Sequence, residues 1–279
     1  MLSDFAKNEN CIIGVCDGLP IPYFPGNIPF VSSDPRRRSD PSAILPGVKS
    51  IIVVGVPYEI APSSPVPEDA GILSALGVVG DYHITVKSLL KKLVARLQQQ
   101  ISFKYKIQVD SPNLDERAIA IKAGLGYIGR NGLVISKEYG SRFNIGLLLM
   151  DIEQAFTQKN KSHSCLPDCR NCVDACPTGA LSDRMNVNRC ISYLTQKENL
   201  TTEEEALIGL HLYGCDICQN ACLHNQPTPI YWANPKEWIS MPDTQFKEKY
   251  GHTAMMWRGA DLLRRNAKVA LASQDQLQN

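Results

Sequence analysis

The chain lacks an apolar run long enough to cross a bilayer. The longest, near residues 51–57, falls well short of the roughly 20 residues that a transmembrane helix requires. It also lacks an excess of charge of either sign: 29 lysines and arginines face 28 acidic residues, for a net charge of +1. Any nucleic-acid binding must therefore come from a local patch and not from bulk charge. The opening residues MLSDFAKNEN have no basic start leading into an apolar stretch, so nothing there reads as a secretion signal. Internal repeats and low-complexity segments are missing too. These absences set the expectation of a soluble cytoplasmic protein with no membrane partner, in a compartment that keeps thiols reduced and disfavours disulfides. Apolar residues make up 44% of the 279, ample for a packed core.

Cysteine is what the chain has in quantity. Eight of the ten cysteines lie between Cys165 and Cys222. The first run holds Cys165, Cys169, Cys172 and Cys176, with Pro177 straight after it. Cys190 stands alone, and the second run holds Cys215, Cys218 and Cys222. Thiolates suit iron–sulfur, zinc or cuprous ions, so softness alone does not choose the metal. Spacing does: zinc knuckles come as separated C-x2-C pairs, whereas three or four thiols wrapped around one centre mark ferredoxin-type domains. The reading is two 4Fe–4S clusters, with two zinc sites as the alternative. In two-cluster ferredoxins the last cysteine of a run ligates the other cluster. By that pattern Cys165, Cys169, Cys172 and Cys222 hold one cluster, and Cys176, Cys190, Cys215 and Cys218 the other. Cys11 and Cys16 fall in CIIGVC and read as core thiols.

Along the chain, residues 11–16 read as a short buried strand. Residues 19–47, rich in proline, glycine and serine, read as a long surface loop. It carries Arg36, Arg37 and Arg38, which could be a solvated charge run or a grip for phosphate. SIIVVGV at 50–56 is continuously apolar and β-branched, a central strand buried on both faces. Residues 57–80 read as a second loop. Leu90, Leu93, Leu97 and Ile101 keep helical spacing within 81–101. Residues 105–110 alternate like a strand ending at Asp110, and a helix follows from about Leu114 to Ala123, stopped by Gly124. The glycine-rich 124–132 follows a helix and not a strand, which rejects a dinucleotide-binding loop; its glycines instead suit close approach to a large flat ligand. Strands are expected at 132–136 and 143–150, a polar linker at 151–164, and helices at 203–213, 244–250 and 259–272. Arg258, Arg264, Arg265 and Lys268 mark the last helix as either a solvated basic face or a phosphate-contacting one.

The blocks RSDPSAILPGVKSIIVVGVPY, GDYH, VDSPNLDERAIAIKAGLGYIGRNGLVISKEYGSRFNIGLLLMD, CVDACPTGAL, RCISYLT and YGCDICQNAC stand in this order. In that sequence of blocks the chain resembles epoxyqueuosine reductase, from about Arg38 onward. The resemblance implies dependence on cobalamin and two 4Fe–4S clusters, and reduction of the epoxide of epoxyqueuosine in tRNA to give queuosine, with an unidentified reductase as electron donor. It implies an α+β fold: a cobalamin-binding α/β domain with a central mixed sheet over residues 1–160, a ferredoxin-like double 4Fe–4S domain over 161–226, and a short helical C-terminal segment over 227–279. It makes Asp110 the catalytic residue and a cofactor contact, a proton donor whose pKa desolvation would raise. An Asx turn or helix N-cap is the structural alternative for Asp110. Further cofactor contacts implied are Arg38, Arg130, Asn131, Ser192, Asp216 and Ile217. Glu116 and Arg117 match the family's Glu-Arg pair, or form a structural ion pair.

Three departures from the family pattern stand out. Three residues, not two, separate Cys165 from Cys169. Asn113 stands where the family has proline, Pro112 coming one position early. The C-terminal helical region that helps hold tRNA is reduced to little more than one helix; truncation after residue 258 is expected to weaken tRNA binding more than it lowers cofactor content. Two other readings remain open at this stage: a cobalamin reductase of another substrate, akin to reductive dehalogenases, and a non-catalytic 4Fe–4S electron carrier.

Overall fold

The computed structural model describes all residues except 24–28, 64, 156–163, 183–184 and 279, and omits the side chains of 277 and 278. The protein divides into two units. One joins Met1–Tyr58 to Tyr82–Cys169, and the other joins Glu59–Asp81 to Arg170–Asn279.

The first unit is built on four strands in the order Ile12–Asp17, Ser50–Pro57, Phe143–Met150, Tyr105–Gln108, every neighbouring pair antiparallel. The expected strand at 11–16 and the central strand at 50–56 both form. Ser50–Pro57 lies inside the sheet, and its alternation buries both faces. Ile52 and Val54 pack with Val86, Leu90 and Leu93 of the helix Tyr82–Gln98. Ile51 and Val53 pack with Ile119 and Ala120 of the helix Glu116–Lys122. The apolar stripe Leu90, Leu93, Leu97 is buried as its spacing requires, while Ile101 lies beyond the helix end and is exposed.

The expected loop at 19–47 is partly helical. Pro35–Ser39 forms a helix and Pro41–Ala43 a 3-10 turn. Each is capped by an aspartate directly before its proline: Asp34 accepts from the N–H groups of Arg36 and Arg37, and Asp40 from that of Ser42. Cap residue then proline is a helix-start signal, so this structure was encoded locally. Residues 24–28 of that loop lie outside the described ones.

The second unit contains the mixed sheet. His211–Tyr213 pairs parallel with Gly71–Leu73, which pairs antiparallel with Tyr231–Ala233. The supposed loop at 57–80 thus supplies the middle strand, then the short helix Ala75–Val78. The helix expected over 203–213 ends at Ile208, where Gly209 turns left-handed at φ +50°, and residues 211–213 continue as strand. Its start is a capping box between Thr201 and Glu204.

The last helix, Ala260–Gln278, does not offer the basic face expected of it. Arg258 lies in the preceding turn Ala254–Arg258. Arg264 donates to the carbonyls of Trp238 and Met241 and pairs with Asp243 at 2.6 Å. Arg265 donates to the carbonyls of Lys197 and Glu198. Fully buried Asn266 donates to the carbonyls of Thr195 and Leu212, at 2.7 and 2.8 Å, and its oxygen accepts from Arg265. Thr195 ends the segment after Cys190, and Leu212 lies three residues before Cys215. This helix therefore braces the segment after Cys190 and the one before Cys215, so its removal after residue 258 is expected to disturb the cluster region as well. Among the described residues no helix is long and apolar enough to cross a membrane.

Replacing Asn266 by Leu leaves two buried carbonyls without donors, at about 1–3 kcal/mol each. We expect lower thermal stability and less iron retained after anaerobic reconstitution. Lys268→Ala, on the exposed side of the same helix, should change neither.

Candidate functional site

In the first unit the strand Tyr105–Gln108 ends two residues before Asp110. Asp110 itself takes a left-handed backbone at φ +48°. Aspartate tolerates that conformation at a cost on the order of 1 kcal/mol, so neighbouring contacts must hold it. Its carboxylate accepts from the Tyr82 hydroxyl at 2.5 Å, and His83 Nε2 lies 3.6 Å from the same oxygen. The Tyr82 and His83 rings stack, with centroids 4.2 Å apart. Both belong to the first turn of Tyr82–Gln98, the end of a helix that favours negative charge.

This corrects the expected protonation. The contact with His83 and the hydrogen bond from Tyr82 outweigh burial, and they hold the Asp110 carboxyl below its ordinary value. Its side chain is 68% exposed, so the raising effect of burial is the weaker influence here. Nor is it a helix N-cap. That role falls to Asp115, which accepts from Ala118 N–H. The raised acid is Glu116, pushed up to about 8 by burial and by the nearby Asp110 charge. Its two oxygens accept from the backbone N–H groups of Asp110 and Ser111, each at 3.1 Å. Arg117 does not pair with it but donates to the Gly132 carbonyl.

Each arginine of the run has a partner within the chain, and Arg38 is the buried one. Arg36 bonds Asp40, and Arg37 donates to the Asn113 side chain. Buried Arg38 donates to the Asn113 carbonyl at 2.9 Å and lies 3.5 Å from Asp115. The contacts of Arg37 and Arg38 anchor residues 113–115, just beyond Asp110, while Arg36 and Arg37 remain exposed.

The glycine loop folds back on itself as a small hairpin, with Tyr127–Ile128 pairing Val134–Ile135. A Cβ on Gly126 would run into the Ile135 carbonyl, so the hairpin's own packing requires glycine there. Arg130 donates to the Pro167 carbonyl at 2.6 Å, within the Cys165–Cys169 segment. Asn131 is 4% exposed. Its oxygen accepts from Leu133 N–H, while among the described residues its Nδ2 has no partner. A buried donor left unpaired is costly, so an absent acceptor fits this position.

The second unit gathers thiols. Cys172 starts from the short helix Asn171–Asp174 and Cys218 from Ile217–Asn220, two helices that pack together. Burial pushes Cys218 up to about 12, and the charges of Cys215, Cys190, Cys172 and Cys176 add to it. Burial likewise pushes Cys215 to about 12, with Cys190 and Cys176 among its neighbours. At Cys176 burial acts the same way but loses to hydrogen bonds led by that of Thr178, which lower it. Five thiols thus share one electrostatic neighbourhood. Among the described residues no three His, Cys, Asp or Glu side chains converge as ligands of a single ion would. Cys222 is half-buried in this unit; Cys165 and Cys169 are half-buried in the first. None of the ten cysteines is in a disulfide, and burial raises Cys11 and Cys16 to about 11 and 12, as suits core thiols.

Of the remaining expected contacts, Ser192 sits in the helix Ile191–Leu194 and its carbonyl accepts from Thr195 and Gln196. Asp216 accepts from Ala75 N–H at 2.6 Å, and Ile217 begins its short helix. Tyr82 and His83 went unassigned in the sequence, although GDYH at the head of an amphipathic helix was a visible signal.

A family model described as "Epoxyqueuosine reductase QueG, DUF1730" matches residues 38–111, and one for a 4Fe-4S double cluster binding domain matches 164–225. An epoxyqueuosine reductase of Bacillus cereus is 33% identical over 271 residues, covering 87% of this chain and 69% of that protein. An epoxyqueuosine reductase solved with a tRNA-Tyr epoxyqueuosine-modified stem loop superposes with a TM-score of 0.86 at 29% identity, covering 98% of this chain and 80% of that one. The Bacillus subtilis enzyme, solved with its catalytic loop swung out of the active site, gives 0.85 at 29% with the same coverage.

His83→Ala removes the largest influence holding Asp110 down. The carboxyl should then titrate higher, as read by carbon NMR of labelled aspartate; an unchanged titration would reject the assignment of His83 as its main partner.

Proposed function

The chain belongs to the epoxyqueuosine reductase family, and we propose that it reduces the epoxide of epoxyqueuosine in tRNA to give queuosine. The reaction breaks both C–O bonds of the epoxide, takes up two electrons and two protons, and releases the oxygen as water. The observation that carries the reading at residue level is the carboxylate of Asp110, held by a phenol and an imidazole just past a sheet strand.

Cobalamin and two 4Fe–4S clusters, when bound, supply the electrons, which a separate reductase must provide. Cys176, Cys190, Cys215 and Cys218 are the proposed ligands of one cluster, supported by their mutual electrostatic influence. Cys165, Cys169, Cys172 and Cys222 are proposed for the other. Ligand thiols must lose their protons, so loading of the cysteines raised by burial should release acid. Asn131 is the proposed cobalamin contact with support in the structure, through its unpaired Nδ2. Arg130 carries that loop's neighbouring donor, already engaged with Pro167. Arg38 acts through the loop beyond Asp110, and Ser192, Asp216 and Ile217 line the cysteine-bearing segments.

Asp110 is the proposed proton donor to the departing oxygen. In the free protein it is ionised, resting on Tyr82 and His83. A nucleoside seated over it would exclude water and raise its pKa, so that it takes up a proton where the reaction consumes one. The Bacillus subtilis enzyme shows that such a catalytic loop can swing, and we carry that mobility to this one. The substrate nucleoside, in an unstacked loop of tRNA, is of the single-stranded kind that proteins read by stacking and edge contacts. A tRNA substrate supports a cytoplasmic location.

Reduced, cobalamin-loaded protein incubated with epoxyqueuosine-containing tRNA should convert it to queuosine, read by mass analysis of the nucleosides. Asp110→Asn should keep iron and cobalamin yet lose turnover by about a hundredfold or more, within the usual range for a general acid. Conversion undiminished in that variant would remove the proton-donor role; no conversion by the wild type would remove the function.

A further inference from the structure

Glu116 has no part in the proton transfer proposed above, yet it is a carboxyl group placed under the catalytic loop. Each of its oxygens takes one backbone N–H, Oε2 from Asp110 and Oε1 from Ser111. Two consecutive amides aimed at one carboxylate require the chain to turn sharply, and Asp110 is the residue that turns, at φ +48°. Without those bonds both amides would lack a protein acceptor on this side of the loop, and the left-handed backbone would relax toward extended chain.

The rest of the loop is held from a different place. Ser32 N–H donates to the Pro112 carbonyl at 2.7 Å. Arg38 donates to the Asn113 carbonyl and Arg37 to its side chain. Asp115 N–H donates back to the Arg38 carbonyl. Residues 112–115 are thus fixed to the segment around Pro35–Ser39, while the backbone of 110 and 111 is fixed by Glu116. Loss of water around this acid raises it to about 8, against the lowering influence of the two amides and of the His83 charge. The two amides are what its position satisfies.

We propose that Glu116 is the positioning residue of the Asp110 loop: its carboxylate latches the backbone of residues 110 and 111 and so sets the Asp110 side chain against Tyr82 and His83. The latch differs from the arginine anchor, although the Ser111 hydroxyl also accepts from Asn113 N–H and Nδ2, at 3.3 and 3.1 Å, so a swing of 110–111 about 112–115 releases those two bonds as well. A loop that swings out breaks the two amide bonds to Glu116, and a loop that swings in remakes them. Glu116→Gln keeps the size of the side chain but presents an N–H2 where one amide needs an acceptor, so it should break one bond and strain the other.

This inference rests on Asp110 being the proton donor, and its test separates the two. Amide hydrogen exchange is measured on cofactor-loaded protein without substrate, for the wild type and Glu116→Gln at one pH. Exchange at 110–111 should rise at least tenfold in the variant, with the amides of Ser50–Pro57 and Phe143–Met150 unchanged. Iron, cobalamin and stem-loop affinity should stay at wild-type values, so that kcat falls by a similar factor while KM holds. Should the glutamine variant fail to fold, Glu116→Asp, one methylene too short to span both amides, gives the same reading. Unchanged exchange at 110–111, or a rise spread over the whole sheet, overturns the latch. A wild type that shows the exchange difference but never converts the tRNA refutes the catalytic assignment and leaves the latch standing.

Discussion

One carboxylate in an unusual backbone conformation sets the terms for the first unit. Asp110 cannot be left-handed and aimed at Tyr82 and His83 unless its surroundings hold it there. A β-sheet buried on both faces supplies the fixed edge. The helix Tyr82–Gln98 covers one face and delivers the phenol and imidazole from its first turn. The helix Glu116–Lys122 covers the other and delivers the acceptor for the loop's backbone. The same two helices that exclude water from the sheet therefore carry the groups that hold Asp110.

The pattern of acidities follows from that arrangement. Two carboxyl groups lie close together, and their surroundings drive them apart: Asp110 down, through its contacts with His83 and Tyr82, and Glu116 up, through burial. A proposed proton donor that rests ionised is not a contradiction. In the proposed reaction it gains its proton when substrate displaces water. The second unit handles the other half of the chemistry. Burial raises Cys215 and Cys218, while Thr178 and backbone donors lower Cys176, so cluster loading at these proposed ligands would be coupled to proton release.

Much of this was legible in the residues, and the failures have physical causes. SIIVVGV declared a doubly buried strand, and the leucine spacing of 90–97 declared the helix over it. The cysteine runs declared their chemistry by spacing alone. The helices Pro35–Ser39 and Pro235–Ser240 were missed because proline was read as a loop former, although Asp34 and Asn234 before each proline are caps. The strands Gly71–Leu73 and His211–Tyr213 are three residues long and pair across some 140 positions, so no local period announces them. Free arginine was likewise misjudged: Arg38, Arg264 and Arg265 end on carbonyls that the sequence cannot place nearby. The acidity of Asp110 went the wrong way because Tyr82 and His83 meet it only in the folded chain.

The claim that unites these features is that Asp110 is ionised when alone and protonated when substrate covers it. Infrared difference spectra of oxidised, cofactor-loaded protein, with and without an epoxyqueuosine-modified stem loop, read this without turnover, using labelled aspartate and Asp110→Asn as the control. The account predicts loss of a carboxylate band and gain of a protonated carboxyl band that the control lacks. A carboxylate that stays ionised in the complex would contradict it.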